Sequence, residues 1–564
     1  MLVRLFVFFS LVLCSGGQIV APDDFARSSA QTVRQWQNHK YGMFIHFGLY
    51  SELGGVWKGK QYSGNYSEQI QSDAHIPEGE YARLASKFNP ERWDPEGIVQ
   101  LAQDAGMKFI VITAKHHDGF SLFGTKASAF NVVNASPYAK DIVKSLADAC
   151  ARHGMAFGVY YSTIDWHFGD VRDPRNDNPI SPAHEKFNLE QLRELMTGYG
   201  PLSEIWFDMG HPTRLQSKHF ADQVHRYQPE CMVSGRVWNS QGDFLEMGDD
   251  EIPDYILDEP WESPASIFKD TWGYRSWEAR SGLEQKIQEH IKRLVAVVSR
   301  GGNYILNIGP EGDGSVVEYE AAVLRGTGAW LERNGEAVYG TQPQPFRKLD
   351  FGYATVNGHR LYLLVEHAPA DGKLRLPGLR TRIQNAYLLG DPGKTPLTVI
   401  HEEGSGQSVA APKCDCFMPV VAVEMNGEIA VEQTRAAMTR PGVITLPSEA
   451  ADHFYNNNGE GYYDPPVLRK LRWTFDVARG GGYRVEIIYR PGRFSRRVDV
   501  TVVDQLLRAS VQGEEKSLLL PDTVALETGS QVTLTVEPGA PRERAAALGF
   551  EPIAVRLTRI AEMH

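Results

Sequence analysis

Between residues 28 and 340, short apolar runs alternate with stretches whose apolar residues recur every three or four positions. The runs are Tyr41-Gly-Met-Phe-Ile-His-Phe47, Phe109-Ile-Val-Ile-Thr113, Phe157-Gly-Val-Tyr-Tyr161 and Ile205-Trp-Phe207. They carry the aromatic and β-branched residues that suit strands. The spacing predicts helices over 95–105, 141–153 and 189–197 between them. Strands that are apolar on both faces, spaced by amphipathic helices, imply a parallel sheet covered on both sides. The density of these units favours a closed (β/α)₈-like barrel over an open sheet.

Past Gly340 the pattern changes. Leu361-Tyr-Leu-Leu-Val365, Pro419-Val-Val-Ala-Val-Glu424, Tyr483-Arg-Val-Glu-Ile-Ile-Tyr489 and Val532-Thr-Leu-Thr-Val536 are short strands between turn residues, with few helical stretches. They predict one or two antiparallel β-sandwiches. The expected division is a barrel over 28–342, a sandwich over 343–435 and a second sandwich over 440–564. The last resembles carbohydrate-binding modules at Leu471-Arg-Trp-Thr-Phe-Asp-Val477; a structural sandwich that buttresses the barrel is the favoured reading. With 564 residues, two or three domains are the prior.

Residues 1–17 hold Arg4, the apolar run Leu5–Leu13 and then small residues, the pattern of a secretory leader. This predicts export, to a periplasmic, extracellular or lysosome-like compartment. Cys14 offers a lipoprotein anchor, although Leu13 is a poor residue to precede it. No other run is long enough for a membrane helix. The net charge of −12 argues against nucleic acid or an anionic membrane as partner. Cys150, Cys231, Cys414 and Cys416 follow no zinc spacing, and Cys414 and Cys416 are too near in sequence for an ordinary unstrained bridge.

Polar groups collect where the apolar runs stop: His46, then His116-His117-Asp118, Tyr160-Tyr161, Asp208 and Arg236. Asp is depleted from strand interiors, so Asp208 reads either as a helix cap or as a charge delivered to a barrel mouth. Neighbouring histidines of an extended segment point to opposite sides, which disfavours one ion held by His116 and His117. No HxH or HExxH spacing is present, and no metal or cofactor is expected. A hydroxylated ligand suits the set, since His, Arg, Trp and Tyr offer donors, acceptors and apolar faces.

Seven segments, in order, resemble the signature of glycoside hydrolase family 29, the retaining α-L-fucosidases. They are Gly42-Met-Phe-Ile-His-Phe-Gly48, Lys115-His-His-Asp-Gly-Phe120, Gly158-Val-Tyr-Tyr-Ser162, Ile205-Trp-Phe-Asp208, Thr271-Trp-Gly-Tyr274, Gly301–Pro310 and Asn334-Gly-Glu-Ala-Val-Tyr339. The resemblance implies a (β/α)₈-like catalytic domain, fucosylated glycans as substrates, and Asp208 as the nucleophile of a double displacement. It implies Glu262, in Pro260-Trp-Glu262, as acid/base; a carboxylate between Glu246 and Glu259 is the alternative. His46, Trp57, Glu68, His116, His117, Tyr161, Trp206, Arg236 and Trp272 are the implied sugar contacts. Where many members follow that Glu with an aromatic, Gln69 stands here. A related α-galactosidase and an inactive fucose-binding protein are the competing readings.

Overall fold

The structure is a computed structural model. It describes residues 28–560 apart from 63–65, 171–177, 254–256, 258, 347–348, 403–405, 432–439, 441, 457–466 and 540–549. The expected leader and Cys14 lie outside the described residues, as do residues 432–439 at the boundary expected between the two sandwiches.

Eight parallel strands form the first part: β1 (Tyr41–Ile45), β2 (Phe109–Lys115), β3 (Ala156–Ser162), β4 (Glu204–Asp208), β5 (Met232–Val233), β6 (Leu245–Glu246), β7 (Trp261–Ser266) and β8 (Asn303–Ile308). Their spatial order is β5-β4-β3-β2-β1-β8-β7-β6, so chain neighbours are sheet neighbours except β5 and β6. The sheet curls until β5 and β6 are its two edges. A single bridge, Ser234 to Phe244, links those edges. This is the expected barrel, joined loosely at one seam.

The helices between strands start and stop where their sequences dictate. Asp94 caps Pro95–Asp104 by accepting from Gly97 N, and Asp141 caps Ile142–His153 by accepting from Lys144 N. Gly154, at φ 65°, ends the second helix in the left-handed conformation that glycine adopts without strain. Thr213 and Gln216 form a reciprocal capping box on Arg214–Tyr227.

Alternation along the strands sorts side chains between two cores. Phe44, Phe109, Val111, Tyr160, Trp206 and Ile305 meet inside the barrel, with Trp272 over them. Ile45, Ile110, Ile112, Val159, Tyr161, Ile205, Phe207 and Leu306 face the helices. Both sets are buried, which is why the strands show no polar face in sequence.

Beyond the barrel, a four-stranded sheet and a three-stranded sheet enclose a core of residues from Phe346 to Met425. A further four-stranded and five-stranded pair encloses a separate core from Ile444 to Leu557, centred on Trp473. All pairings in these sheets are antiparallel. Cys414 and Cys416 form a disulfide, contrary to the expectation from their spacing. Their Cα atoms stand 5.3 Å apart, well inside the range of about 4.4–6.8 Å that bridges need. Cys150 and Cys231 are free and buried. Among the described residues, no helix is long and apolar enough to cross a membrane.

Candidate active site

Asp208 is the last residue of β4, and Glu204, Trp206 and Asp208 share the face that looks into the barrel. Register places Tyr160 beside Trp206 and Ser162 beside Asp208. At the C-terminal ends of the strands lies a cavity with about 290 Å³ of empty space. Phe44, His46, Glu68, His116, His117, Tyr160, Trp206, Asp208, Arg236, Asp249 and Trp272 line it, with Tyr66, Gln69 and Met209.

Arg236 organises the charged side of the cavity. It sits on the short turn Gly235–Val237 that follows β5. Its Nη1 donates to Asp208 Oδ1 at 3.1 Å and its Nη2 to Asp249 Oδ1 at 2.7 Å. Nη2 also reaches the Met247 carbonyl at 3.1 Å. The guanidinium carbon lies 4.6 Å from the Trp206 ring centre, a cation–π contact inside a buried site. Tyr160 donates to the other oxygen of Asp208 at 2.7 Å. Burial pushes the Asp208 carboxyl up to about 6, although Arg236 and the Tyr160 hydroxyl both favour its charged form. Asp249 Oδ2 accepts from Trp272 Nε1 at 3.3 Å and from Tyr66 at 3.4 Å.

The opposite side presents imidazoles whose tautomers follow from their partners. Asn307 Nδ2 donates to the Trp272 carbonyl and to Ser266 Oγ, so its Oδ1, 2.8 Å from His46 Nδ1, accepts. Burial holds His46 neutral by lowering its pKa to about 3, which leaves Nε2 an acceptor. The same logic applies to His117. Ser162 Oγ spends its proton on the Ile164 carbonyl, so it accepts from His117 Nδ1 at 2.9 Å. His116 stacks on Tyr160, and its ring lies 3.8 Å from that of His117. Glu68 Oε2 takes the backbone N–H groups of Trp272 and Gly273 at 3.1 and 2.8 Å; burial still raises its pKa to about 7. Acceptors and donors thus face an aromatic floor, the polar-and-apolar combination that small-ligand sites use.

A family model described as Alpha-L-fucosidase matches residues 21–336. The chain belongs to this family, glycoside hydrolase family 29. Human tissue alpha-L-fucosidase is 31% identical over 387 residues, covering 65% of this chain and 82% of that protein. The alpha-L-fucosidase of Branchiostoma floridae is 30% identical over 397 residues, covering 66% and 87%. Among solved structures, the α-L-fucosidase of Vibrio sp. strain EJY3 aligns with a TM-score of 0.67 at 25% identity, covering 95% of this chain and 99% of that one. A family 29 α-L-fucosidase from Bacteroides thetaiotaomicron, a mutant trapped as a covalent intermediate with 2-fluoro-fucosyl fluoride, aligns at 0.65 with 27% identity, covering 71% and 97%.

Against the residues that sequence suggested, this α-L-fucosidase brings eight to the cavity: His46, Glu68, His116, His117, Trp206, Asp208, Arg236 and Trp272. Three lie elsewhere. Tyr161 points outward, its hydroxyl 2.8 Å from Asn188 Oδ1 and Gln191 Oε1 and its ring under Lys115; Tyr160 takes the place expected for it. Trp57 is half-buried on the hairpin of Val56–Trp57 and Lys60–Gln61 and does not line the cavity. Glu262 is the second residue of β7, paired with Glu246 on β6 and Asn303 on β8, and is fully buried beneath Trp206 rather than beside the cavity. The expectation that His116 and His117 diverge is also corrected. β2 ends at Lys115, so strand alternation no longer governs the pair, and both line the cavity. Asp249, which lines the cavity, lies within the Glu246–Glu259 interval that the sequence offers as the alternative source of the acid/base.

Proposed function

We propose that this α-L-fucosidase is an exo-acting, configuration-retaining enzyme in which Asp208 is the nucleophile and Asp249 the acid/base. The observation that carries the reading is one guanidinium holding both carboxyls at the same cavity. A bridged pair of this kind suits the carboxyl separation of about 5–5.5 Å used by retaining glycosidases. Asp208 attacks the anomeric carbon of a terminal fucose while Asp249 protonates the departing oxygen. Water, deprotonated by Asp249, then releases the sugar. The relative trapped as a covalent intermediate supports a two-step course.

Arg236 links the two steps electrostatically. Its guanidinium donates to both carboxyls, so attack by one and proton transfer by the other take place against the same fixed donor. Asp249 serves as acid in the first step and as base in the second. The cavity is ringed by residues on or after β1 to β7, a pocket rather than an open groove, which fits removal of terminal residues. Its imidazole acceptors and carboxylates suit hydroxyls, and Phe44, Trp206 and Trp272 suit a methyl-bearing face. Fucosylated glycans are the substrates, and export follows from the leader-like residues 1–17.

Nitrophenyl α-L-fucoside with azide tests both roles. Asp208→Gly should yield a fucosyl azide of inverted configuration, and Asp249→Gly one of retained configuration. Undiminished turnover by Asp208→Gly, or azide capture by a Glu262 variant in place of Asp249→Gly, would overturn the assignment.

A further inference from the structure

Beneath the cavity, the barrel holds an unusual floor. Glu246 and Glu262 are direct neighbours on β6 and β7, and Glu204 opens β4. All three are fully buried. Glu204 accepts from Trp36 Nε1, and Glu262 Oε1 accepts from Trp206 Nε1 at 3.1 Å. The Glu262 Oε2 atom has no partner among the described residues.

We infer that Glu262 is a positioning residue for the fucosidase reaction, fixing the Trp206 indole that carries Arg236. The inference rests on the reading of Asp208 and Asp249 as the reacting pair. A buried indole N–H requires an acceptor, and leaving one unmade costs about 1–3 kcal/mol. Glu262 is the acceptor here. Its bond sets the tilt of the indole. That ring is the platform for the Arg236 guanidinium, 4.6 Å from its centre, and it also stacks on Tyr160. Arg236 and Tyr160 are in turn the hydrogen-bond donors to Asp208. One buried acceptor therefore sets the indole and, through it, the two donors that hold Asp208, without touching substrate.

The chemical state of Glu262 follows from its surroundings. Burial, then the nearby carboxyls of Glu204 and Glu246, raise its pKa well above the ordinary value, which favours its neutral form. A neutral carboxyl accepts through its carbonyl oxygen, and a glutamine amide does the same with nearly the same shape. An acid/base role would be lost in that exchange, whereas a positioning role survives it.

The experiment compares Glu262→Gln and Glu262→Ala with the native enzyme on nitrophenyl α-L-fucoside, with and without azide. Glu262→Gln should keep kcat/KM within about threefold of native and keep both limbs of its pH profile. Glu262→Ala should lower kcat about 10- to 100-fold, the cost of misplacing reacting groups by about 1 Å, with no rescue by azide. In a Trp206→Phe background, which has no N–H to hold, Glu262→Ala should add little further loss. This cycle with Glu262→Gln decides the matter even if Glu262→Ala alone folds poorly.

Native activity in Glu262→Ala would overturn the inference while leaving Asp208 and Asp249 in their roles. Loss of the basic limb and azide rescue in Glu262→Gln would overturn it and transfer the proton to Glu262. Failure of azide to rescue Asp249→Gly, with the Glu262 variants behaving as stated, would sink the Asp249 assignment alone.

Discussion

Tyr160→Phe isolates one contribution to Asp208, the proposed nucleophile. The hydroxyl donates to Asp208 Oδ2 at 2.7 Å inside a buried site, and phenylalanine keeps the ring that stacks on His116 and Trp206. A hydrogen bond to a charged group is worth about 1.5–3 kcal/mol, or about 1–2 pKa units at ~1.36 kcal/mol each. The bond favours the carboxylate, so its removal raises the Asp208 pKa from about 6 to roughly 7–8. The fraction ionised at pH 6 then falls from about one half to between about one tenth and one hundredth. At pH 9 it hardly changes. The kcat/KM profile on nitrophenyl α-L-fucoside, which reports the free enzyme, should show its acid limb displaced upward by about 1–2 units. An acid limb that stays within about 0.3 unit of native, in a folded variant, refutes this account. A uniform loss at every pH would instead place the hydroxyl on the transition state.

Three further outcomes follow. The Asp208 carboxyl binds its proton more tightly in the folded chain, near 6, than at its ordinary 3.8, so this term stabilises below about pH 4 and is lost as pH rises to about 6. Asp208→Asn should therefore match native thermal stability near pH 4 and exceed it at pH 8, by up to about 3 kcal/mol; equal melting temperatures at pH 8 would contradict it. Tyr161→Phe strands buried acceptors on Asn188 and Gln191 and should cost about 1–3 kcal/mol while leaving kcat/KM unchanged, and a kinetic defect would return Tyr161 to the site. Replacing both Cys414 and Cys416 by Ser opens a loop of only three residues, whose closure is worth about 1.6 kcal/mol in the chain-entropy account. The melting temperature should shift by a few degrees at most, and activity should not move.

Which parts of this were legible follows from what each signal measures. The alternation of apolar runs with helical periods reports burial, and burial is what a (β/α)₈ architecture imposes; hence the strand order and the capped helices agree with the sequence. Asp208 is legible for a related reason: a charge that ends an apolar strand must leave the sheet at its C-terminal mouth. Parity within a strand is not legible when both faces are buried. Tyr160 and Tyr161 are the same residue type at adjacent positions, and only the register with Trp206 shows which one looks inward.

Depth along a strand misled more seriously. Glu262 and Asp208 are both inward-facing carboxyls, but Asp208 closes β4 whereas Glu262 opens β7. In a parallel barrel those positions lie at opposite ends, one at the mouth and the other toward the floor. The apolar residues after Glu262, through Ala265 and Ile267, already indicate that it begins a buried segment. Asp249 lacks any such flank; it follows β6 by three residues, at the end where parallel strands deliver their chemistry. Strand-end position, more than the identity of a Trp-Glu pair, therefore separates a carboxyl that lines the cavity from one that lies beneath the indole at its floor.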